Sequence, residues 1–135
     1  MKENLPPFLF VEDTASDYEA AVRGLRRLGV DAPTVWCTGI GPAEEFLLSK
    51  ASLAPGLIVL DLRLPDGDGK EILQLVRSDM RLRPVPVAIW SASEDPAVIE
   101  TCYRYGADTY VTKAARRDVL GDSIRQFANM WRPEF

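Results

Sequence analysis

The chain has 135 residues, 47% of them hydrophobic, which suits one domain with one ordinary core. Its formal charge of −4 and pI near 4.9 argue against a general binder of nucleic acid or anionic membrane, since both rely on basic fields. Histidine is absent, which removes Ser-His-Asp hydrolysis, Cys-His catalysis and imidazole zinc sites together.

Met1–Phe10 carries two charges and two prolines, so it has neither the apolar stretch of a signal peptide nor the length of a membrane span, and a cytoplasmic protein is expected. Phe8–Val11 reads as the first strand. Ser16, with Glu19 three positions on, has the spacing of a capping box. The helix it opens places Tyr18, Ala21, Val22, Leu25 and Leu28 on one face and stops at Gly29. Thr34–Thr38 is the second strand, and Pro42 suits the first turn of a helix burying Phe46 and Leu47. Leu57–Leu60 is uniformly apolar, as a central strand covered on both faces would be. Pro65-Asp66-Gly67-Asp68-Gly69 reads as a loop, and a helix from about Lys70 to Asp79 buries Ile72, Leu73 and Val76. Pro86–Trp90 is the fourth strand. Asp95-Pro96 is an N-cap followed by an N1 proline, opening a helix that ends at Gly106. Thr109–Thr112 makes a short fifth strand, and the last helix carries Leu120, Ile124, Phe127 and Trp131 on one stripe. Short apolar runs alternating with amphipathic stretches predict an α/β domain of five βα units on a parallel sheet. These units occupy 1–135 as a single domain, with no tail left for an output domain.

Cys37 and Cys102 have no metal-like spacing and form no disulfide framework; both read as buried, reduced thiols. Trp36 and Trp90 read as core fillers, and Trp131 as a contributor to a dimer surface as well. Asp66-Gly67-Asp68-Gly69-Lys70-Glu71 lacks the alternating ligands and distant Glu of a calcium loop. Arg116-Arg117 reads as a solvated helix opening.

The polar residues at the strand ends carry the chemistry. Glu12 and Asp13 follow the first strand, Asp61 the third, Ser91 the fourth and Lys113 the fifth. Open parallel sheets bind ligands beyond the carboxyl ends of their strands, so these residues are expected to share one rim. Three carboxylates in one cleft repel unless a cation neutralises them. Magnesium suits them, because it takes hard oxygens, keeps several waters and uses few carboxylates. Asp61 is then a candidate nucleophile forming an acyl phosphate. Lys113 would balance charge on the phosphoryl oxygens and Ser91 would donate a hydrogen bond to one of them.

The chain resembles the receiver domains of two-component response regulators over essentially its full length. The residues that carry the likeness are Glu12-Asp13, Asp61 within Val59-Leu60-Asp61-Leu62-Arg63-Leu64-Pro65-Asp66-Gly67-Asp68-Gly69, Ser91-Ala92, and Gly106-Ala107-Asp108-Thr109-Tyr110-Val111-Thr112-Lys113. The intervals from Asp61 to Ser91 and from Ser91 to Lys113 fit as well. The resemblance implies a doubly wound, five-stranded, flavodoxin-like (βα)5 fold with strand order 2-1-3-4-5. It implies that Asp61 is the phosphoacceptor, that Asp13, Asp61 and the backbone carbonyl of Arg63 ligate Mg2+, and that Glu12 holds a metal-bound water. Ser91 and Lys113 become the switch hydroxyl and the phosphate-binding lysine. Tyr110 becomes the aromatic residue that rotates inward when Ser91 is drawn to the phosphoryl group. Gly24–Pro33, Cys102–Tyr110 and the Trp131 ending are similar to stand-alone receivers that serve phytochrome-type sensor kinases. The implied partners are a sensor histidine kinase or a histidine phosphotransfer protein and a downstream protein target, with a homodimer through the fourth strand, fifth strand and last helix.

Three positions depart from the family pattern. Ala114 stands where proline usually follows the lysine, so a trans peptide is expected there, because a non-proline cis bond costs about 3–4 kcal/mol. Ser91 replaces the commoner threonine and keeps the hydroxyl. Arg63 lies where a side chain influences attack of water on the acyl phosphate. Two other readings compete with phosphoacceptance. One is a receiver-like interaction module that is never phosphorylated. The other is a haloacid-dehalogenase-like phosphatase, which needs a second acid two residues after its nucleophile, where Arg63 stands instead.

Overall fold

The computed structural model describes residues 5–113 and 117–133, and of residues 117–120 the backbone alone. In chain order the elements are β1 (Phe8–Val11), α1 (Ala15–Arg27), β2 (Thr34–Cys37), α2 (Ile40–Leu48), β3 (Leu57–Leu60), β4 (Arg63–Leu64), β5 (Gly67–Asp68), α3 (Lys70–Ser78), β6 (Val87–Ser91), α4 (Pro96–Arg104), β7 (Thr109–Thr112) and α5 (Arg117–Met130). Five strands form one parallel sheet in the order β2-β1-β3-β6-β7, while β4 and β5 pair as a separate antiparallel hairpin. Among the five sheet strands that is the expected order 2-1-3-4-5, the flavodoxin-like winding.

Successive strand residues face opposite sides of a sheet, and both sides are covered. Leu9, Val11, Ile58, Leu60, Val87 and Ile89 pack with residues of α2, α3 and α4. Phe8, Phe10, Leu57, Val59, Ala88 and Trp90 pack with Ala21, Leu25, Ile124 and Phe127 of α1 and α5. This double cover explains why β1 and β3 are apolar at every position and wholly buried. Trp90 fills the second layer, 2% exposed, with Phe127 edge-on at 5.5 Å. Both cysteines are buried and free, and burial pushes their thiols above the ordinary range.

Several local expectations need correction. The N-cap of α1 is Thr14, not Ser16, and it makes no side-chain cap bond. The Thr14 N–H instead donates to Glu12 Oε2 at 3.0 Å, so a side chain from the strand end supplies one of the two bonds a capping box would make. Leu28 lies at the C-cap and is 42% exposed, so it leaves the apolar face. Gly29 (φ 76°) does end the helix, with Val30 N–H donating to Leu25 O and Gly29 N–H to Arg26 O, a Schellman pair. Trp36 is 37% exposed on the edge strand β2 rather than a core filler, and stacks on Tyr18 at 4.8 Å. Residues Pro65–Gly69 are not all loop: Gly67 and Asp68 pair back onto Arg63 and Leu64, and Pro65-Asp66 form the two-residue turn. Asp66 serves α2, accepting hydrogen bonds from Ile40 N–H at 2.7 Å and Gly41 N–H at 2.9 Å. Those bonds hold its carboxyl below the usual range. β6 runs one residue later than expected and includes Ser91. Asp95 caps α4 as expected, accepting from Ala97 N–H at 3.0 Å. Trp131 packs inward, stacked on Phe8 at 5.4 Å, with its Nε1 donating to Pro6 O at 2.9 Å. The Lys113-Ala114 peptide, Arg116 and the side chains of Arg117 and Leu120 lie outside the described residues.

Phe127 is 0% exposed and seats α5 on the sheet. Replacing it with Ala is expected to cost about 3–5 kcal/mol, read as a lower urea midpoint with an unchanged slope; a loss under about 1 kcal/mol would contradict the packing described.

Candidate functional site

The site grows from strand register. Val11 pairs with Leu60, and Asp61 N–H donates to Val11 O at 2.9 Å, so the residues just past β1 and β3 emerge side by side. One carboxylate oxygen each from Glu12, Asp13 and Asp61 lies within 4.8 Å of the others. Glu12 is 1% and Asp61 7% exposed, while Asp13 faces solvent. Gly69 makes the third strand's exit possible: a Cβ there would collide with the Asp61 carbonyl oxygen.

Lys113 arrives from the other side of the sheet, with its N–H bonded to Ser91 O at 2.7 Å. Its Nζ lies 2.8 Å from Asp61 Oδ2, 2.8 Å from Glu12 Oε1 and 2.9 Å from Asp17 Oδ2, and 5.4 Å from the centre of the Trp90 ring. Burial works against the charged form of Lys113, but its contacts with Asp61, Glu12 and Asp17 outweigh that and hold it well above the ordinary lysine range. Glu12 goes the other way for a carboxylate. Burial pushes it up, and neither Lys113 nor the Thr14 N–H brings it back to its usual value.

Ser91 is 2% exposed, and its hydroxyl stands 3.5 Å from Ser93 N. Tyr110 is half-buried against the core, its hydroxyl donating to Ser93 O at 2.7 Å, so it already points inward. Arg63 is exposed on β4, and its N–H approaches Asp61 Oδ1 at 3.4 Å. An open depression of about 170 Å³ is lined in part by Leu62, Arg63, Lys70, Ser91 and Ser93. Lys70 is paired with Asp68 at 2.8 Å. The structure thus gathers Glu12, Asp13, Asp61, Ser91 and Lys113 on one rim, with Arg63 and Tyr110 at its borders.

Two residues were not picked out from sequence. Asp17 lies in the first turn of α1, four positions after Asp13, which precedes the helix. Trp36 donates from Nε1 to Glu12 O at 2.5 Å, a contact for which the sequence offers no signal.

A divalent cation fits this donor set. Hard carboxylate oxygens converge, and Glu12 Oε1 is buried without an aligned hydrogen-bond donor although Lys113 Nζ is 2.8 Å away. A hydrated cation would supply what that oxygen lacks.

The strand order and the acid-bearing rim together are those of a flavodoxin-like α/β domain of the receiver type. The chain matches the response regulator receiver domain over residues 8–125, and it belongs to that family. It is 27% identical over 135 residues to the response regulator Rcp1 of Synechocystis, covering 96% of this chain and 92% of that one. The Mn2+-bound form of Rcp1 superposes with a TM-score of 0.83 over 90% of each chain, at 26% identity. The phosphorylated cyanobacterial phytochrome response regulator RcpA gives 0.84 at 27% identity, covering 94% of each chain. A receiver domain from Rhodospirillum rubrum gives 0.84 at 30% identity, covering 95% of this chain and 97% of that one.

Because the folded pKa of Glu12 lies above its unfolded value, ionising Glu12 opposes folding of the metal-free protein. The stability tied to its protonated form is lost as pH rises through that folded value. In EDTA, Glu12→Gln is therefore expected to equal the parent below about pH 4 and to exceed it at pH 7. Thermal melts across that range check this, and a variant less stable than its parent at pH 7 would contradict it.

Proposed function

We propose that Asp61 accepts a phosphoryl group from the phosphohistidine of a partner protein in a Mg2+-dependent transfer. The observation that carries this reading is a buried Asp61 carboxylate clustered with Glu12 and Asp13 within 4.8 Å and held by Lys113 at 2.8 Å. An Asp61 carboxylate oxygen attacks phosphorus, the P–N bond to the donor imidazole breaks, and the imidazole leaves with its electron pair and takes up a proton. Asp13, Asp61 and the Arg63 carbonyl are the proposed protein ligands of the cation, with Glu12 holding one of its waters. The cation, when bound, spreads the negative charge that gathers on the phosphoryl oxygens. Lys113 contributes a second positive charge, and the Ser91 hydroxyl donates to a phosphoryl oxygen.

The signal then follows from Ser91. Its movement toward the phosphoryl group pulls on the turn containing Ser93, whose carbonyl Tyr110 holds at 2.7 Å. The surface formed by β6, β7, α4 and α5 is thereby the one that changes, and it is the proposed face for a downstream protein or a second copy of the chain. The chain acts as a regulatory domain in the cytoplasm, whose turnover is its own phosphorylation and dephosphorylation. Among the described residues no helix is long and apolar enough to cross a membrane. The likeness to RcpA, a phytochrome response regulator by name, supports a phytochrome-type histidine kinase, directly or through a histidine phosphotransfer protein, as the donor. Arg63, two residues after Asp61, leaves a haloacid-dehalogenase-type phosphatase without its second acid.

Magnesium with beryllofluoride, which imitates a phosphoryl group on Asp61, should shift the amide resonances of Ser91 and Tyr110 and change Trp90 fluorescence. Asp61→Asn should abolish both responses. A silent parent protein would end the phosphoacceptor reading.

A further inference from the structure

Lys113 has more carboxylates than a phosphate-binding lysine needs. An ammonium carries three N–H donors, and three carboxylates stand within 2.9 Å of Nζ: Asp61, Glu12 and Asp17. A phosphoryl oxygen reaching Nζ enters a shell that these carboxylates already crowd and competes with them for the ammonium. Asp61 gives up its carboxylate charge to the acyl phosphate, which leaves Glu12 and Asp17 as the charged competitors: Glu12 is 2% exposed and would strand its charge in a dry site, whereas Asp17 is 37% exposed and can return to water. Asp17 sits in the first turn of α1, outside the Glu12-Asp13-Asp61 cluster.

We propose that Asp17 is a positioning residue which parks Lys113 on α1 and competes with an arriving phosphoryl group for its ammonium. In the resting protein this third carboxylate keeps the lysine ordered at the rim. On loading, the Asp17 contact is the one given up, so α1 is released as Lys113 turns to the phosphoryl oxygens. The first turn of α1 therefore reports occupancy alongside the Ser91 and Tyr110 side. The inference rests on the phosphoacceptor reading of Asp61.

The test is a beryllofluoride titration at saturating Mg2+, followed by Trp90 fluorescence, in the parent and in Asp17→Asn, Asp17→Glu and Glu19→Gln. Asp17→Asn should bind about two- to fivefold tighter, the range for a half-exposed ion pair. Asp17→Glu, which keeps the carboxylate, should return toward the parent. Glu19 is exposed on the same helix, so Glu19→Gln removes an equal charge without touching Lys113 and should bind as the parent does. The gain in Asp17→Asn should persist in about 0.5 M KCl, where through-space effects of surface charge are screened. A merely structural Asp17, favourable at a helix N-terminus, would leave affinity unchanged or weaken it on replacement. Unchanged or weaker binding in Asp17→Asn, an equal gain in Glu19→Gln, or a gain erased by salt would overturn the inference while the phosphoacceptor reading stands. No beryllofluoride binding by the parent would instead sink both.

Discussion

Like charge held at the edge of a dry sheet is the constraint on which the rest of this structure depends. Parallel pairing of β1 with β3 forces Glu12, Asp13 and Asp61 together, and two of those three are almost fully buried. Such an arrangement is costly in isolation, because desolvation penalises the two buried carboxylates and all three repel one another. Lys113 offsets part of that cost, and its raised pKa and the raised pKa of Glu12 are two signs of the same imbalance. One ammonium cannot balance four carboxylates, counting Asp17. The site is therefore left with a standing affinity for further positive charge.

The scaffold's contribution is rigidity under this load. The two central strands that deliver the acids are covered by side chains on both faces, and a core packed to that density moves little. Lys113 is fixed by its backbone bond to Ser91 and lies over Trp90, itself locked against Phe127. What can move is concentrated in side chains that cross between elements. Lys113 spans β7 and α1, and Tyr110 spans β7 and the turn after β6. On the proposed function, a phosphoryl group at Asp61 would act on both at once and turn a local change of charge into a change of surface.

Much of the fold was legible in the sequence, because its period is unambiguous. Short wholly apolar runs can only be central parallel strands when they alternate with amphipathic stretches, and the polar residue ending each run marks the rim. Glu12, Asp13, Asp61, Ser91 and Lys113 were visible for that reason. The misses share a cause, which is tertiary competition for a polar or apolar group. Glu12 takes the Thr14 N–H and moves the helix start away from Ser16. Asp66 reaches across to α2, and the turn it belongs to closes a hairpin where Gly and Pro suggested only loop. Trp36 trades burial for a stack on Tyr18 and a bond to the Glu12 carbonyl. Asp17 looked like an ordinary first-turn acid, because nothing in a linear reading brings Lys113 to it. The inward setting of Tyr110 depends on one carbonyl in a turn, which residue type does not encode.

The central claim is that Asp61 is the group that takes the phosphoryl. Incubation of the protein with Mg2+ and a small phosphoryl donor such as phosphoramidate, followed by intact mass measurement and borohydride trapping of the acyl phosphate, addresses it directly. The account predicts one added phosphoryl group, dependent on Mg2+, mapped to Asp61 and missing in Asp61→Asn. A modification that persists in Asp61→Asn, or no modification of the parent protein, would contradict it.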